Sequence, residues 1–382
     1  MTGTSRTRAV LSATALGAVA GALLYGFLSA ESEKAVALIL LVAVLAVVGG
    51  LRSGVLATLV RGAGPGPSLV ALGGAAVALV AVFHADPFVL LLMARALLVL
   101  VSCLGLHVQL ADAGVPNFAG AAFFGVGGYT AAVLARGALP HPLILLASGA
   151  VAAAVGSLLL LPLLRTRGHY AALITIAFGL LFRTFLEVNE TLGGPQGLKL
   201  GGLRILGWSF NEDRRLLGLD ISGYAFYCLA SIALVLLAVV LVRAVERSWL
   251  GVALDAVRLD ETAAACFGVS IGRWKIAAFT LGNAIIGVAG GLSAMMVGFI
   301  APNNFTFQES LVLVSILLLG GLGNLTGLAV ASLIVIWLPE KLQPIQEYRY
   351  LLFSALVVLV LVLRPAGLIR RSARRPFGSV VT

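Results

Sequence analysis

Residues 246–268 read ERSWLGVALDAVRLDETAAACFG. Apolar runs over 221–242 and 274–298 flank this stretch, yet it carries Glu246, Arg247, Asp255, Arg258, Asp260 and Glu261. So many charges are too costly to leave in hydrocarbon, so the chain leaves the bilayer here and re-enters after it. Leu250, Leu254 and Val257 recur at helical spacing, and Asp255, Arg258 and Glu261 fall on roughly one polar face. The spacing predicts a short amphipathic helix on one side of the membrane, where a soluble partner can push on it. An ordinary solvated loop helix would carry the same pattern.

Outward from that stretch the chain is apolar. Of its 382 residues, 60% are hydrophobic and 11% charged, with a mean hydropathy of +1.07. Soluble domains hold about 45–50% apolar and about 25% charged residues. The composition therefore specifies an integral membrane protein. The net charge of +10 comes from basic residues gathered in short segments between apolar runs, the pattern of cytoplasmic loops, and needs no nucleic acid. Cys103, Cys228 and Cys266 show no CxxC spacing, so they supply neither a disulfide framework nor a metal motif. His84, His107, His141 and His169 are equally scattered. No cofactor, metal or catalytic constellation is expected.

Runs of about 17–25 apolar residues mark membrane spans. They fall over the N-terminal run to about Ser29 and over 35–50, 68–84, 88–111, 114–135, 142–164, 170–188, 221–242, 274–298, 307–322, 325–340 and 348–363. The fold class is all-α: a polytopic helical bundle with about 10–12 transmembrane segments, some of which can be re-entrant. The first run is read as a span and not as a cleaved leader, because it is long enough to span and no clear small-x-small cleavage site follows it before more membrane sequence begins. Arg6, Arg8, Arg52, Arg61, Arg165, Arg167, Arg243, Arg247, Arg273, Lys275 and the basic tail then share the cytoplasmic side, with both termini. Residues 189–220 form an external loop carrying Arg204, Glu212, Asp213, Arg214 and Arg215. Three parts are expected: extra helices over 1–87, a core over 88–370, and a cytoplasmic tail over 371–382.

Polar groups inside spans are functional candidates by cost. Asn117, Thr175, Asn283, Glu309 and Ser315 are read as lining a translocation pathway, with Phe118, Phe123 and Tyr129 as apolar walls. Ser and Thr can equally bond back to their own helix, and Glu309 lies near the external end of its segment. Residues 114–135 concentrate Gly114, Gly120, Gly125, Gly127 and Gly128 with Pro116, which suits a discontinuous helix at a transport site or a plain, tightly packed one. Arg183 and Glu187 are spaced as a local pair, and Arg95 either snorkels or packs inside the bundle. Pro116-Asn117-Phe118 and Pro302-Asn303-Asn304-Phe305 echo each other as an inverted repeat requires, although chance also supplies a match this short.

Several segments resemble the branched-chain amino-acid permease family, the membrane subunits of ATP-binding-cassette importers. Ser248-Trp249-Leu250-Gly251 with Leu254-Asp255-Ala256-Val257-Arg258 is similar to that family's G-R-A-x-x-A-I-R segment, with Val252 where Arg is usual. Glu261-Thr262-Ala263-Ala264 with Gly268 resembles E-x-A-A-x-x-x-G, and Arg273-Trp274-Lys275 with Ala278-Phe279 resembles R-x-K-x-x-A-F. Gly120 to Gly125 with Gly128-Tyr129-Thr130-Ala131, Leu192 to Gly197, Gly320 to Asn324 with Gly327, and Leu363 to Leu368 resemble further family segments in the same order.

The resemblance implies that Asp255, Arg258, Glu261, Ala263, Ala264 and Gly268 form the helix that docks into a cytoplasmic ATPase. It also implies a second permease subunit, identical or different, and an external substrate-binding protein. The chain has no GxxxxGK[ST] segment, so the nucleotide chemistry belongs to a partner. The implied cargo is a branched-chain or other small neutral amino acid. Urea, short amides or a sugar such as ribose are the alternative, because related permeases share the coupling motif. A membrane enzyme or scaffold would need clustered acid, base or metal groups, and the charges are sparse and dispersed.

Overall fold

A computed structural model describes residues 65–137, 139–164, 170–205, 208–210, 214–216 and 219–341, with further positions between 12 and 29 and between 351 and 358. The expected span over 35–50, most of that over 348–363, the residues Arg52, Arg61, Arg165, Arg167, His169, Glu212 and Asp213, and the basic tail lie outside the described residues.

The described chain is almost wholly helical. Its elements are α1 (Pro65–Val82), α2 (Pro87–His107), α3 (Gly120–Leu134), α4 (His141–Leu163), α5 (Tyr170–Val188), α6 (Gly223–Arg247), α7 (Trp249–Leu259), α8 (Glu261–Cys266), α9 (Ile271–Val297), α10 (Phe307–Gly320) and α11 (Leu325–Lys341). Helices dominate because a backbone in hydrocarbon must satisfy its own N–H and C=O groups. Among the described residues five helical stretches are long and apolar enough to cross a membrane: Pro87–Asp112, His141–Pro162, Tyr170–Val188, Gly223–Arg247 and Ile271–Val297. Shorter apolar helices include Gly120–Leu134 and Leu325–Trp337.

Two compact units divide the chain, the first joining residues 1–94, 213–236 and 338–346. Within it, Tyr25 and Phe83 meet at 5.6 Å between ring centroids, and the Cys228 thiol donates to the Leu90 carbonyl at 3.0 Å.

The second unit takes 95–212, 237–337 and 347–382 and is built on α9. This helix packs along both α3 and α4. The α3–α9 backbones approach closely where Gly127 faces Gly287: a Cβ on Gly127 would collide with the Gly287 backbone, while a Cβ on Gly287 would collide with Ala152 and Ser148 of α4. Gly105 of α2 meets Gly282 of α9 in the same way. Without a hydrophobic drive between helices in lipid, such small-residue contacts supply the dispersion that holds them.

The 189–220 segment is more ordered than a plain loop. Strand β1 (Leu198–Lys199) pairs antiparallel with β6 (Phe299–Ile300), tying the segment to the end of α9. Two further ribbons pair β2 (Arg204–Ile205) with β3 (Trp208–Ser209), and β4 (Arg214–Leu216) with β5 (Leu219–Ile221). Strands of two or three residues are too short to leave an alternation in the sequence. Arg183 and Glu187 form the expected pair, Nε to Oε1 at 2.8 Å, and Arg183 also donates to Asn303 at 3.2 Å. Arg95 is exposed.

Candidate functional site

The chain between α2 and α3 is broken. After His107 it widens into a π turn over Val108–Asp112, turns at Gly114 with φ +69, and runs non-helically until α3 starts at Gly120. Glycine takes that positive φ without the Cβ clash other residues meet, and Pro116 cannot donate a helical N–H.

Three fully buried amides gather at this break. Gln109 Nε2 donates to the Phe279 carbonyl at 3.1 Å and to Asn283 Oδ1 at 2.9 Å. Asn117 Nδ2 donates to Gln109 Oε1 at 2.7 Å and approaches Asn283 Oδ1 at 3.4 Å. Asn283 Nδ2 has no hydrogen-bond partner among the described residues and lies against Gly156, which leaves it room. A buried orphan donor costs about 1–3 kcal/mol.

The amides leading into α3 and in its first turn are held by side-chain oxygens from three different segments. Phe118 N–H donates to Thr175 Oγ1 of α5 at 3.1 Å, Ala119 N–H to Asn117 Oδ1 at 2.8 Å, and Ala121 N–H to Ser310 Oγ of α10 at 3.1 Å. From the amides an aromatic column runs along the unit. Phe279 meets Phe123 at 5.9 Å, Phe123 stacks on Phe178 at 5.1 Å, Phe178 on Phe182 at 6.2 Å, and Phe305 bridges Phe182 to Tyr129 at 6.4 and 6.0 Å. The Tyr129 hydroxyl is buried there with no hydrogen-bond partner among the described residues.

The stretch 246–268 is two helices, not one. Asp260 interrupts it in extended geometry, and its carboxylate caps α8 by accepting from Thr262 N–H at 2.8 Å and Ala263 N–H at 3.1 Å. An aspartate that can satisfy orphan N-terminal amides starts a new helix more readily than it continues an old one. Ser248 caps α7 through Leu250 N–H. Gly268, at φ +78, closes α8 while Val269 N–H returns to the Ala264 carbonyl at 3.0 Å and Gly268 N–H to Ala265 at 2.9 Å, the double closure of a glycine-terminated helix.

Asp255 and Arg258 pair at 3.5 Å, but Glu261 departs from their face and binds Lys275 of α9 at 2.6 Å. Ala263 is exposed while Ala264 turns inward, so only the former adds to the small outer surface expected of the pair. Leu254 and Val257 are buried as the spacing requires. Trp249 stands edge-on to Trp274 at 4.9 Å. Leu259 and Phe267 remain 74% and 89% exposed, beside exposed Trp249 and Val252, so this segment presents apolar groups among its charges. The stem of Arg258 packs on Gly114, which joins α7 directly to the break.

Against this geometry, residues 88–361 match the family described as "Branched-chain amino acid transport system / permease component". The chain belongs to that family. Two relatives, both named "High-affinity branched-chain amino acid transport system permease protein LivM", come from Escherichia coli (strain K12) and Salmonella typhimurium (strain LT2). Each is 34% identical over 281 residues, which cover 70% of this chain and 66% of the relative, just under two thirds of the relative's length. No solved structure matches. Membership in a transport permease family agrees with the apolar helices and makes the chain a multi-pass membrane protein.

Of the residues singled out in this permease from sequence, the structure brings together Asn117, Phe118, Thr175, Asn283 and Phe123. Tyr129 stands at the far end of the aromatic column. Glu309 and Ser315 do not join the amides: Glu309 is half-buried in the first turn of α10, where its N–H bonds the Thr306 hydroxyl at 3.3 Å, and Ser315 is half-buried further along. Ser310, one residue past Glu309, makes the contact with α3. Sequence reasoning missed it, and missed Gln109, because the π turn shifts the face on which Gln109 falls. A polar residue beside a Gly/Pro cluster inside a span was the available signal.

Proposed function

We propose that this chain is the membrane-spanning permease subunit of an ATP-binding-cassette importer for branched-chain or other small neutral amino acids. It works with cytoplasmic ATPase subunits, a second permease subunit and an external substrate-binding protein, in the cell membrane with both termini cytoplasmic. Residues 88–370 act as the permease core, 1–87 add helices to it, and 371–382 form a cytoplasmic tail. α7 and α8 are the docking element, with Asp255, Arg258, Glu261, Ala263 and Gly268 shaping it and exposed Leu259 and Phe267 offering apolar anchors to the ATPase.

The seating of Arg258 on Gly114 carries this reading. Gly114 follows the π turn that holds Gln109, so a displacement of α7 reaches the amide cluster through five residues of chain. The amides offer donors and acceptors without net charge, which suits a zwitterion of zero net charge. Its carboxylate can replace the Thr175, Asn117 and Ser310 oxygens at the N-terminus of α3, where the helix dipole favours an anion. The aromatic column from Phe279 to Tyr129 suits an apolar side chain.

The experiment is uptake of labelled leucine, urea and ribose by cells lacking the chain, then supplied with it or with a Glu261→Lys, Gly268→Pro variant. Leucine uptake restored by the intact chain alone supports both cargo and coupling. Restoration of urea or ribose uptake alone transfers the cargo to that compound. No change in any uptake overturns the transport reading.

A further inference from the structure

His107, Asp112 and Glu246 meet although 139 residues separate the first from the last. His107 Nε2 lies 3.4 Å from Glu246 Oε1 and 3.8 Å from Asp112 Oδ1. One ligand-type atom from each of the three falls within 4.8 Å of the others. His107 and Asp112 are 0% and 1% exposed, and Glu246 19%. In an α-helix two residues five apart point about 140° away from each other. The π turn, closed by Ala113 N–H to the Val108 carbonyl, widens the turn and brings positions five apart nearer to one face. The local distortion therefore places the imidazole and the carboxylate on one side.

We propose that these three residues form a binding site for a borderline divalent transition cation, with Zn2+ as its representative. Bonds of about 2.0–2.2 Å at tetrahedral angles set neighbouring donor atoms roughly 3.3–3.5 Å apart, close to the observed 3.4 and 3.8 Å. Two carboxylates with a neutral imidazole carry a formal charge that one divalent cation matches. A mixed nitrogen and oxygen set selects Zn2+, Mn2+ or Fe2+ over Mg2+ and Ca2+, which prefer oxygen alone. Three protein ligands leave a fourth position for water, and the half-buried Glu246 is the way in. Arg243, three residues before Glu246 on α6, interacts with it and competes for it. The site spans the joint where α6 gives way to α7, so a bound cation braces α7 against the π turn.

The test stands apart from the transport reading, because it is a binding measurement. The full chain, purified in detergent without a histidine tag and carrying Cys266→Ser to remove the exposed thiol, is stripped with chelator and titrated calorimetrically with Zn2+. One equivalent should bind, an excess of Mg2+ should not compete, and Co2+ should give a visible absorption band in its place. His107→Gln should weaken binding at least tenfold. Glu246→Gln, at the half-buried ligand, should do the same in a chain whose melting temperature is unchanged. Absence of stoichiometric Zn2+ binding, or binding that survives both substitutions, overturns the proposal.

Discussion

The contact between Gly127 and Gly287 makes a prediction with a sign. A methyl group at Gly127 would overlap the Gly287 carbonyl oxygen and stand 2.6 Å from the Gly287 Cα, whereas ordinary contact begins at 3.4 Å. Clearing the Cα alone means that α3 and α9 part by about 0.8 Å, and clearing the nearer oxygen means more; overpacking of that kind costs about 1–3 kcal/mol. Alanine also lowers the entropy lost by glycine in a helix, a gain of about 0.5–1 kcal/mol. At Gly127 the cost exceeds the gain. At Gly179, on α5, a Cβ meets nothing within 4 Å, so only the gain remains. Gly127→Ala should thus destabilise and Gly179→Ala should stabilise slightly. Unfolding can be followed with a thiol-reactive dye in a Cys266→Ser background, because Cys103 and Cys228 are buried in the folded chain. If both substitutions move the midpoint in the same direction by similar amounts, the close packing of α3 on α9 does not govern stability as argued.

Further outcomes follow from the site. Asp260→Ala removes the cap on two α8 amides and should cost about 1 kcal/mol, seen as faster hydrogen exchange over residues 261–266 and reduced uptake. Asn117→Leu should leave polar partners unmet in the amide cluster, costing about 1–3 kcal/mol and abolishing uptake, with Asn117→Gln less damaging. Glu261 is 54% exposed at its side chain, so Glu261→Gln should change stability by about 0–1 kcal/mol at most. Glu261→Lys combined with Lys275→Glu should recover uptake that either single change loses. Gly268→Ala places a Cβ at φ +78 and should cost about 1–2 kcal/mol, measured as a lower melting midpoint than wild type.

The helical class was readable because apolar runs of membrane length leave little else. The spans expected over 170–188 and 274–298 appear as Tyr170–Val188 and Ile271–Val297. Less was legible where local geometry departs from the α-helix. The π turn after His107 moves Gln109 and Asp112 to faces that a period of 3.6 does not assign them, and so hides both the amide cluster and the acid–imidazole cluster. The break at Asp260 was hidden for a different reason: charges at helical spacing suggest one polar face, while an aspartate cap acts on backbone amides that spacing does not report. The expected role of Asn117 and Asn283 rested on the cost of burying an amide, which is a property of the residue, and the structure places the two side by side. Their use in transport is a proposal for experiment.

The 27 residues of α9 amount to roughly 40 Å at about 1.5 Å each, longer than a hydrocarbon layer of about 30 Å. Both its ends are fastened, one through Lys275 to α8 and the other through β6, which follows Gly298 directly and pairs with β1. One continuous helix therefore connects the two fastenings without a loop between them. The 189–200 segment at one end and α8 at the other are thus joined through a single helix.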